Sequence, residues 1–265
     1  MATLELHWPF HGNSDEVMID LSNYSRITYS TDTLGYGSGI NRYAMCTFKG
    51  SRAVTSNSYL DQTFGITRCI TFWIYPLSGV SSETIIVNKG KWAISLDGLN
   101  NGKRYLKFSH EFDNNDGEWR TLSYEVVVDR WNFCVVAYNN TDNANNPDLY
   151  VNDNPKAIIE TSNPSFDASD DSASDFIIGA ASSAHTPYFY IRDLKLWGGA
   201  WDTADNEYPQ YQDYETAAKG QKELLTNYPV EEGLESWTTK QTGKKYLHPE
   251  IKQKVSKFKT KGIYW

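Results

Sequence analysis

Cysteine is scarce. The chain has three in 265 residues, Cys46, Cys69 and Cys134, and none belongs to a CxxC pair or a Cys/His cluster, which excludes a disulfide framework and a thiolate metal site. Each sits in an apolar run, so buried thiols are the expectation. No stretch reaches the roughly 18 apolar residues of a helical membrane span, so no membrane insertion is expected. The N-terminus, MATLELHWPF, lacks the basic region and apolar run of a secretion signal, and synthesis in a cytoplasm is the expectation; the sequons at Asn23 and Asn139 are then chance. No glycine-rich phosphate loop occurs. The histidines, His7, His11, His110, His185 and His248, are too scattered for a metal or triad spacing.

Positive charge is also short, 25 Lys+Arg against 33 Asp+Glu, and it is unevenly placed. Residues 1–205 carry a net −10, residues 206–239 a net −5 and residues 240–265 a net +7. An acidic body cannot track a phosphate backbone, so nucleic acid is not an expected partner of the main domain, and only the C-terminal tail has the charge for it.

What the chain has in quantity is aromatic residues, 14% of the total, and short strand-like runs. Leu4, Leu6, Trp8 and Phe10 alternate with polar residues, and Pro9 places that strand at an edge or at its end. Residues 11–42 read as a long covering loop with room for a concealed strand pair. Tyr43–Phe48 and Ala53–Tyr59 flank Lys49-Gly50-Ser51 and predict a hairpin. In CITFWIYP, residues 69–76, Ile70, Phe72 and Ile74 share one face and Thr71, Trp73 and Tyr75 the other. A strand apolar on both faces belongs at the centre of a sheet.

Further strands are expected at 84–97, split at Asn88-Lys89-Gly90, and at Tyr105–Glu111 after the turn Asn100-Asn101-Gly102. A polar loop at Asp113–Glu118 precedes strands at Leu122–Val128 and Trp131–Tyr138. Leu149–Val151 and Phe176–Gly179 follow, and Tyr188–Asp205 closes the unit. Ile191 and Leu194 are three apart, so a bulge near Arg192-Asp193 is needed to bury both, leaving Leu194 and Leu196 inward and Lys195 outward. More than ten short strands with Gly/Asn/Asp turns make a sandwich or barrel.

The order of these pieces resembles the concanavalin A-like jelly rolls of the laminin G-like type. The likeness rests on LELHWPFHG, TFWIYP, TIIVNKGKWAISLDG, DRWNFCVVAYN followed by LYVNDNP, and FIIGA with YIRDLKLWGGAWDTAD, and covers residues 1–205; Asp153 stands where the family usually has Gly. The resemblance implies an all-β, two-sheet antiparallel jelly-roll sandwich and a history of binding glycans, proteins or lipids. Residues 206–265 fall outside it and read as a short, partly helical C-terminal arm, with helices at 213–227 and 249–258. Ile251, Val255, Phe258, Tyr264 and Trp265 are its anchoring residues, since one apolar stripe of about three turns must dock on something.

Three kinds of site follow. Trp73, Tyr75, Trp92 and Trp119 are candidates for a sugar platform, since flat rings pack on sugar C–H faces; the competing reading is core. Asp113, Asn115 and Asp116, with the Asn139–Asp148 loop, offer the oxygens calcium needs, although Asn and Asp also make turns; no cofactor is the expectation, with calcium, which the resemblance implies, as the alternative. Glu111-Phe112-Asp113 imitates part of a glycosidase carboxylate strand, but with polar neighbours it reads as a solvated loop, and no catalytic residue is assigned. The resulting expectation is a non-enzymatic binding or structural module on a phage or virion surface (capsid decoration, fibre or tail component), bound to other subunits through its arm and displaying a glycan- or protein-binding sandwich, with a cell-surface glycan as a candidate ligand. A polysaccharide-cleaving enzyme or a calcium-dependent lectin of the same fold are the alternatives.

Overall fold

The computed structural model describes strands at residues 3–8, 18–19, 27–30, 35–36, 45–46 and 52–55, and then residues 62–79, 82–179 and 188–199. In chain order the strands are β1 (Thr3–Trp8), β2 (Met18–Ile19), β3 (Ile27–Ser30), β4 (Gly35–Tyr36), β5 (Met45–Cys46), β6 (Arg52–Thr55), β7 (Arg68–Pro76), β8 (Thr84–Asn88) and β9 (Trp92–Asn100). They continue with β10 (Lys103–His110), β11 (Gly117–Thr121), β12 (Val126–Val127), β13 (Asn132–Tyr138), β14 (Asp148–Val151), β15 (Asn154–Pro155), β16 (Ile158–Ser162), β17 (Phe176–Gly179) and β18 (Phe189–Gly198). No helix occurs among the described residues. The chain divides into two units, Met1–Gln212 and Asp213–Trp265, and everything described belongs to the first. The anchoring residues and the tail helices expected from the sequence lie outside the described residues.

Two antiparallel sheets result. One has eight strands in the order β15-β14-β13-β7-β18-β5-β4, with β1 also on β18; the other has ten, β16-β11-β10-β9-β8-β17-β6-β3-β2, with β12 on β10. As its two apolar faces require, β7 is central, between β13 and β18. Ile70, Phe72 and Ile74 from β7, Cys134 and Val136 from β13, and Ile191, Leu194 and Leu196 from β18 meet Ile94, Leu96, Leu106, Phe108, Trp119, Phe176 and Ile178 of the other sheet in one core. Cys69 and Cys134 are buried, and burial pushes the Cys134 thiol pKa up.

The bulge in β18 falls where the side-chain spacing demanded it. Register shifts between Arg192 and Lys195, with Arg192 opposite Trp73 and Lys195 opposite Thr71, so Asp193 and Leu194 together face Phe72. Asp193 takes a positive φ of 47°, which kinks the strand and lets Ile191, Leu194 and Leu196 all point inward. The expected turns also form. Asn101 and Gly102, at φ 49° and 72°, join β9 to β10, and Asn152 and Asp153, at φ 52° and 60°, join β14 to β15. Asp153 can stand in for the usual glycine because Asp tolerates the left-handed region.

Three expectations are corrected. Met45–Cys46 and Arg52–Thr55 are not a hairpin: β5 pairs with β18 and β4 in one sheet while β6 pairs with β17 and β3 in the other. The polar loop ends sooner, since β11 begins at Gly117, where a Cβ would sit 2.1 Å from the Trp119 ring. The Leu122–Val128 strand shrinks to Val126–Val127. Within residues 11–42, β2 and β3 are indeed paired.

Candidate functional site

Each proposed sugar-platform residue takes its position from the alternation of its strand. Trp119 projects from β11 into the core, is 0% exposed and donates Nε1–H to Asn146 Oδ1 at 2.7 Å. Trp92 is likewise buried, packs edge-on against Phe64 and Phe176, and donates Nε1–H to Asp171 Oδ2 at 2.5 Å. Trp73 lies on the outer face of its sheet but is only 5% exposed, against Phe133 and beneath Arg192. Arg192 sits 4.2 Å over Trp131, and burial pulls its pKa down to about 9, so it stays charged at neutral pH. Tyr75 is half-buried, edge-on to Trp131 and Tyr190. These four do not form a platform: Trp92, Trp119 and Trp73 have no ring face to offer because the core and the outer aromatic cluster consume them.

The outer face of the ten-stranded sheet carries a second aromatic group, read from register: Tyr105 opposite Asp97, and Lys107 opposite Ser95 and Arg120. Tyr124 stacks on Tyr105 with centroids 3.8 Å apart, and the Arg120 guanidinium lies 4.0 Å over the same ring. Two groups at that distance must occupy opposite sides, so Tyr105 is closed to a sugar. On the same face Lys107 Nζ is 3.4 Å from Glu83 and 3.1 Å from Glu118. Its ammonium fills the gap between two carboxylates where a glycosidase pair, about 5–9 Å apart, holds substrate.

One end of the sandwich gathers three loops. Residues 111–116 join β10 to β11, residues 139–147 join β13 to β14, and residues 163–175 join β16 to β17. The third braces the first: Asn114 Nδ2 donates to Ser165 Oγ at 3.1 Å, Ser165 N–H to the Asn115 carbonyl at 3.1 Å, and Asp113 N–H to the Asp167 carbonyl at 3.0 Å. Asn143 Nδ2 donates to the Phe166 carbonyl at 3.4 Å, which adds the second loop. Thus the structure brings together the two Asn/Asp loops singled out as cation candidates. Asp116 Oδ1 accepts the Phe112 N–H at 3.2 Å, Asn115 Nδ2 donates to the Asn163 carbonyl, and among the described residues no three His, Cys, Asp or Glu side chains group as metal ligands. Glu111 is held by Lys91 at 2.9 Å.

At the centre of this rim stands Phe166, 68% exposed with a φ of +69°. The sequence had a signal for it that pattern reading passed over: one large apolar residue in the polar run NPSFDASDDSASD has no partner of its own period to pack with.

Beneath the rim, burial governs the ionisable groups. Asp171, fully buried, accepts the Thr63 N–H at 2.8 Å and the Trp92 indole, with Lys89 Nζ at 3.5 Å. Lys89 is equally buried, and desolvation lowers its pKa against the pull of Asp171. This knot ties the loop before β7, the β8–β9 turn and the 163–175 loop together. His110 lies nearby, with Nδ1 2.9 Å from the Glu111 carbonyl and Nε2 3.4 Å from Asn140 Nδ2. Desolvation lowers its pKa below the usual 6.5, and the Glu111 carbonyl, Asp171, Glu111 and Asp116 offset this only in part. A neutral His in the fold and a protonatable one in the unfolded chain contribute stability above pH ~6.5 that is lost as pH falls from there through the folded pKa. Thermal unfolding should therefore show Tm dropping from pH 7 to pH 5.5, with a smaller drop in His110→Gln; equal slopes in the two proteins would contradict this.

The two antiparallel sheets, a single core and a loop-built rim define a jelly-roll sandwich of the lectin kind. Residues 48–205 match the family described as the concanavalin A-like lectin/glucanases superfamily, and the chain belongs to it. No curated protein matches the chain. Among solved structures it is similar to the binding domain of Paraclostridial Mosquitocidal Protein 1, with a TM-score of 0.60 at 15% identity over 80% of this chain and 52% of that one. The botulinum neurotoxin serotype D binding domain gives a TM-score of 0.59 at 15% identity, over 80% and 52%. The serotype D ligand binding domain in complex with N-acetylneuraminic acid gives 0.54 at 15%, over 82% and 50%. At these identities the likeness shows the fold, and this chain spans about half the length of those proteins.

Proposed function

We propose that this chain is a non-enzymatic, glycan-binding sandwich, displayed on the surface of a larger particle such as a phage or virion and attached to other subunits through residues 206–265. The observation that carries the binding role is the rim: an exposed aromatic ring set among Asn and Ser side chains on braced loops is the chemistry that packs on a sugar face and bonds its hydroxyls. The structural neighbours are binding domains, and one is in complex with N-acetylneuraminic acid, which supports recognition over catalysis. The lysine-filled gap between Glu83 and Glu118 also speaks against hydrolysis. Attachment rests on the reversal from a net −5 over residues 206–239 to +7 over residues 240–265, with aromatic residues interleaved in the basic part.

The test is a glycan array probed with the full chain, with and without a calcium chelator, followed by a reducing-end assay on every glycan retained. Retention with no new reducing ends is expected. Retention of nothing, or release of reducing ends, overturns the reading.

A further inference from the structure

We infer that Phe166 is the ligand-contacting ring of the rim and that the rim selects uncharged glycans over sialylated or otherwise anionic ones; this rests on the glycan-binding reading above. Phe166 contributes little to the fold. A bulky side chain at positive φ is strained, because its Cβ crowds the neighbouring carbonyl, and Gly or Asn would relieve it. Such strain is ordinarily offset by burial, yet this ring is 68% exposed. Its neighbours fix it there: residues 163, 165, 167 and 168 are each bonded to the 112–116 loop, and its own carbonyl accepts from Asn143. The loop thus holds an apolar ring outward at a cost in stability, and contact with a ligand is what offsets that cost.

The charge around the ring sets the ligand class. Asp113, Asp116, Asp142, Asp167 and Asp170 are exposed on the three loops, and residues 112–117, 139–147 and 163–175 contain no Lys or Arg. Lys91, at the margin, is taken by Glu111, and Lys89 is buried against Asp171. A carboxylated or sulfated sugar docked on Phe166 would meet several negative charges within a Debye length and, on the three described loops, no Lys or Arg to pair with it. A neutral sugar meets carboxylates and amides able to accept and donate to its hydroxyls.

The test uses the full chain, matched pairs of neutral oligosaccharides and the same oligosaccharides capped with N-acetylneuraminic acid, and the variants Phe166→Gly and Phe166→Ala. Neutral members should bind about tenfold or more tightly than their capped partners at low salt, the gap narrowing as salt is raised. Phe166→Gly should lose about tenfold or more in affinity while its Tm rises by about 2–6 °C. Capped and neutral sugars binding alike, a Phe166→Gly protein that binds as before, or one that melts lower would each overturn the inference while leaving glycan binding in place. Failure of every neutral and capped sugar to bind the parent chain would instead overturn the reading on which it rests.

Discussion

A chain lacking Lys195 should fail to fold, whereas one lacking Asp193, two positions earlier, should fold with its thermal transition barely moved. The difference follows from the bulge in β18. Asp193 and Leu194 share the position opposite Phe72, so removing Asp193 leaves Ile191 in, Arg192 out, Leu194 in, Lys195 out and Leu196 in, which is plain alternation on β7. Removing Lys195 leaves no acceptable register. Keeping the bulge turns Leu196 outward and drives Trp197 into the core, while erasing it buries the Asp193 carboxylate against Phe72 and expels Leu194. Losing one such leucine costs about 2–5 kcal/mol, and burying an unpaired carboxylate costs several more. Together these approach the roughly 5–15 kcal/mol by which a domain is stable. Circular dichroism and thermal melts of both deletions check this; a folded Lys195 deletion would mean the register is set elsewhere.

The second large effect is expected at Asp171→Ala, a residue that touches no candidate ligand. Removing its carboxylate takes the counter-charge from Lys89 and the acceptor from the Trp92 indole and the Thr63 N–H, all inside the protein. Breaking a buried ion pair from one side costs about 3–5 kcal/mol, because the remaining ion stays desolvated. For a unit of this size that lowers Tm by about 6–20 °C. Asp171→Asn combined with Lys89→Met should recover part of the loss, since an acceptor is restored and no lone charge remains. A loss under about 1 kcal/mol for Asp171→Ala would show that the knot does not hold the rim loops.

Much of the architecture was legible in the chain because period-two alternation and turn chemistry are local. TFWIYP announced a central strand by being apolar on both faces, Asn101-Gly102 announced its hairpin, and the three-residue spacing of Ile191 and Leu194 announced the bulge. Long-range partnership was not legible. The segments around Lys49-Gly50-Ser51 look like hairpin arms, yet their hydrogen bonds go to different sheets, and no local signal encodes that. Edge strand β16 escaped notice because its residues 159–161 are exposed and carry no alternating core signal. Exposure was not legible for a related reason. Aromatic content locates burial more readily than binding, so Trp92 and Trp119 read as platform candidates while they supply the core, and Phe166, an exposed ring, is isolated in a run of turn residues.

The rim of loops 111–116, 139–147 and 163–175 is proposed to bind an uncharged glycan. The most direct test is to titrate the best-retained neutral oligosaccharide into isotopically labelled full chain and map the amide shifts. Saturable shifts concentrated at residues 112–116, 142–146 and 163–170, with the Phe166 ring resonances moving, are predicted. Shifts confined to the outer face of either sheet, or none at saturating sugar, would contradict it.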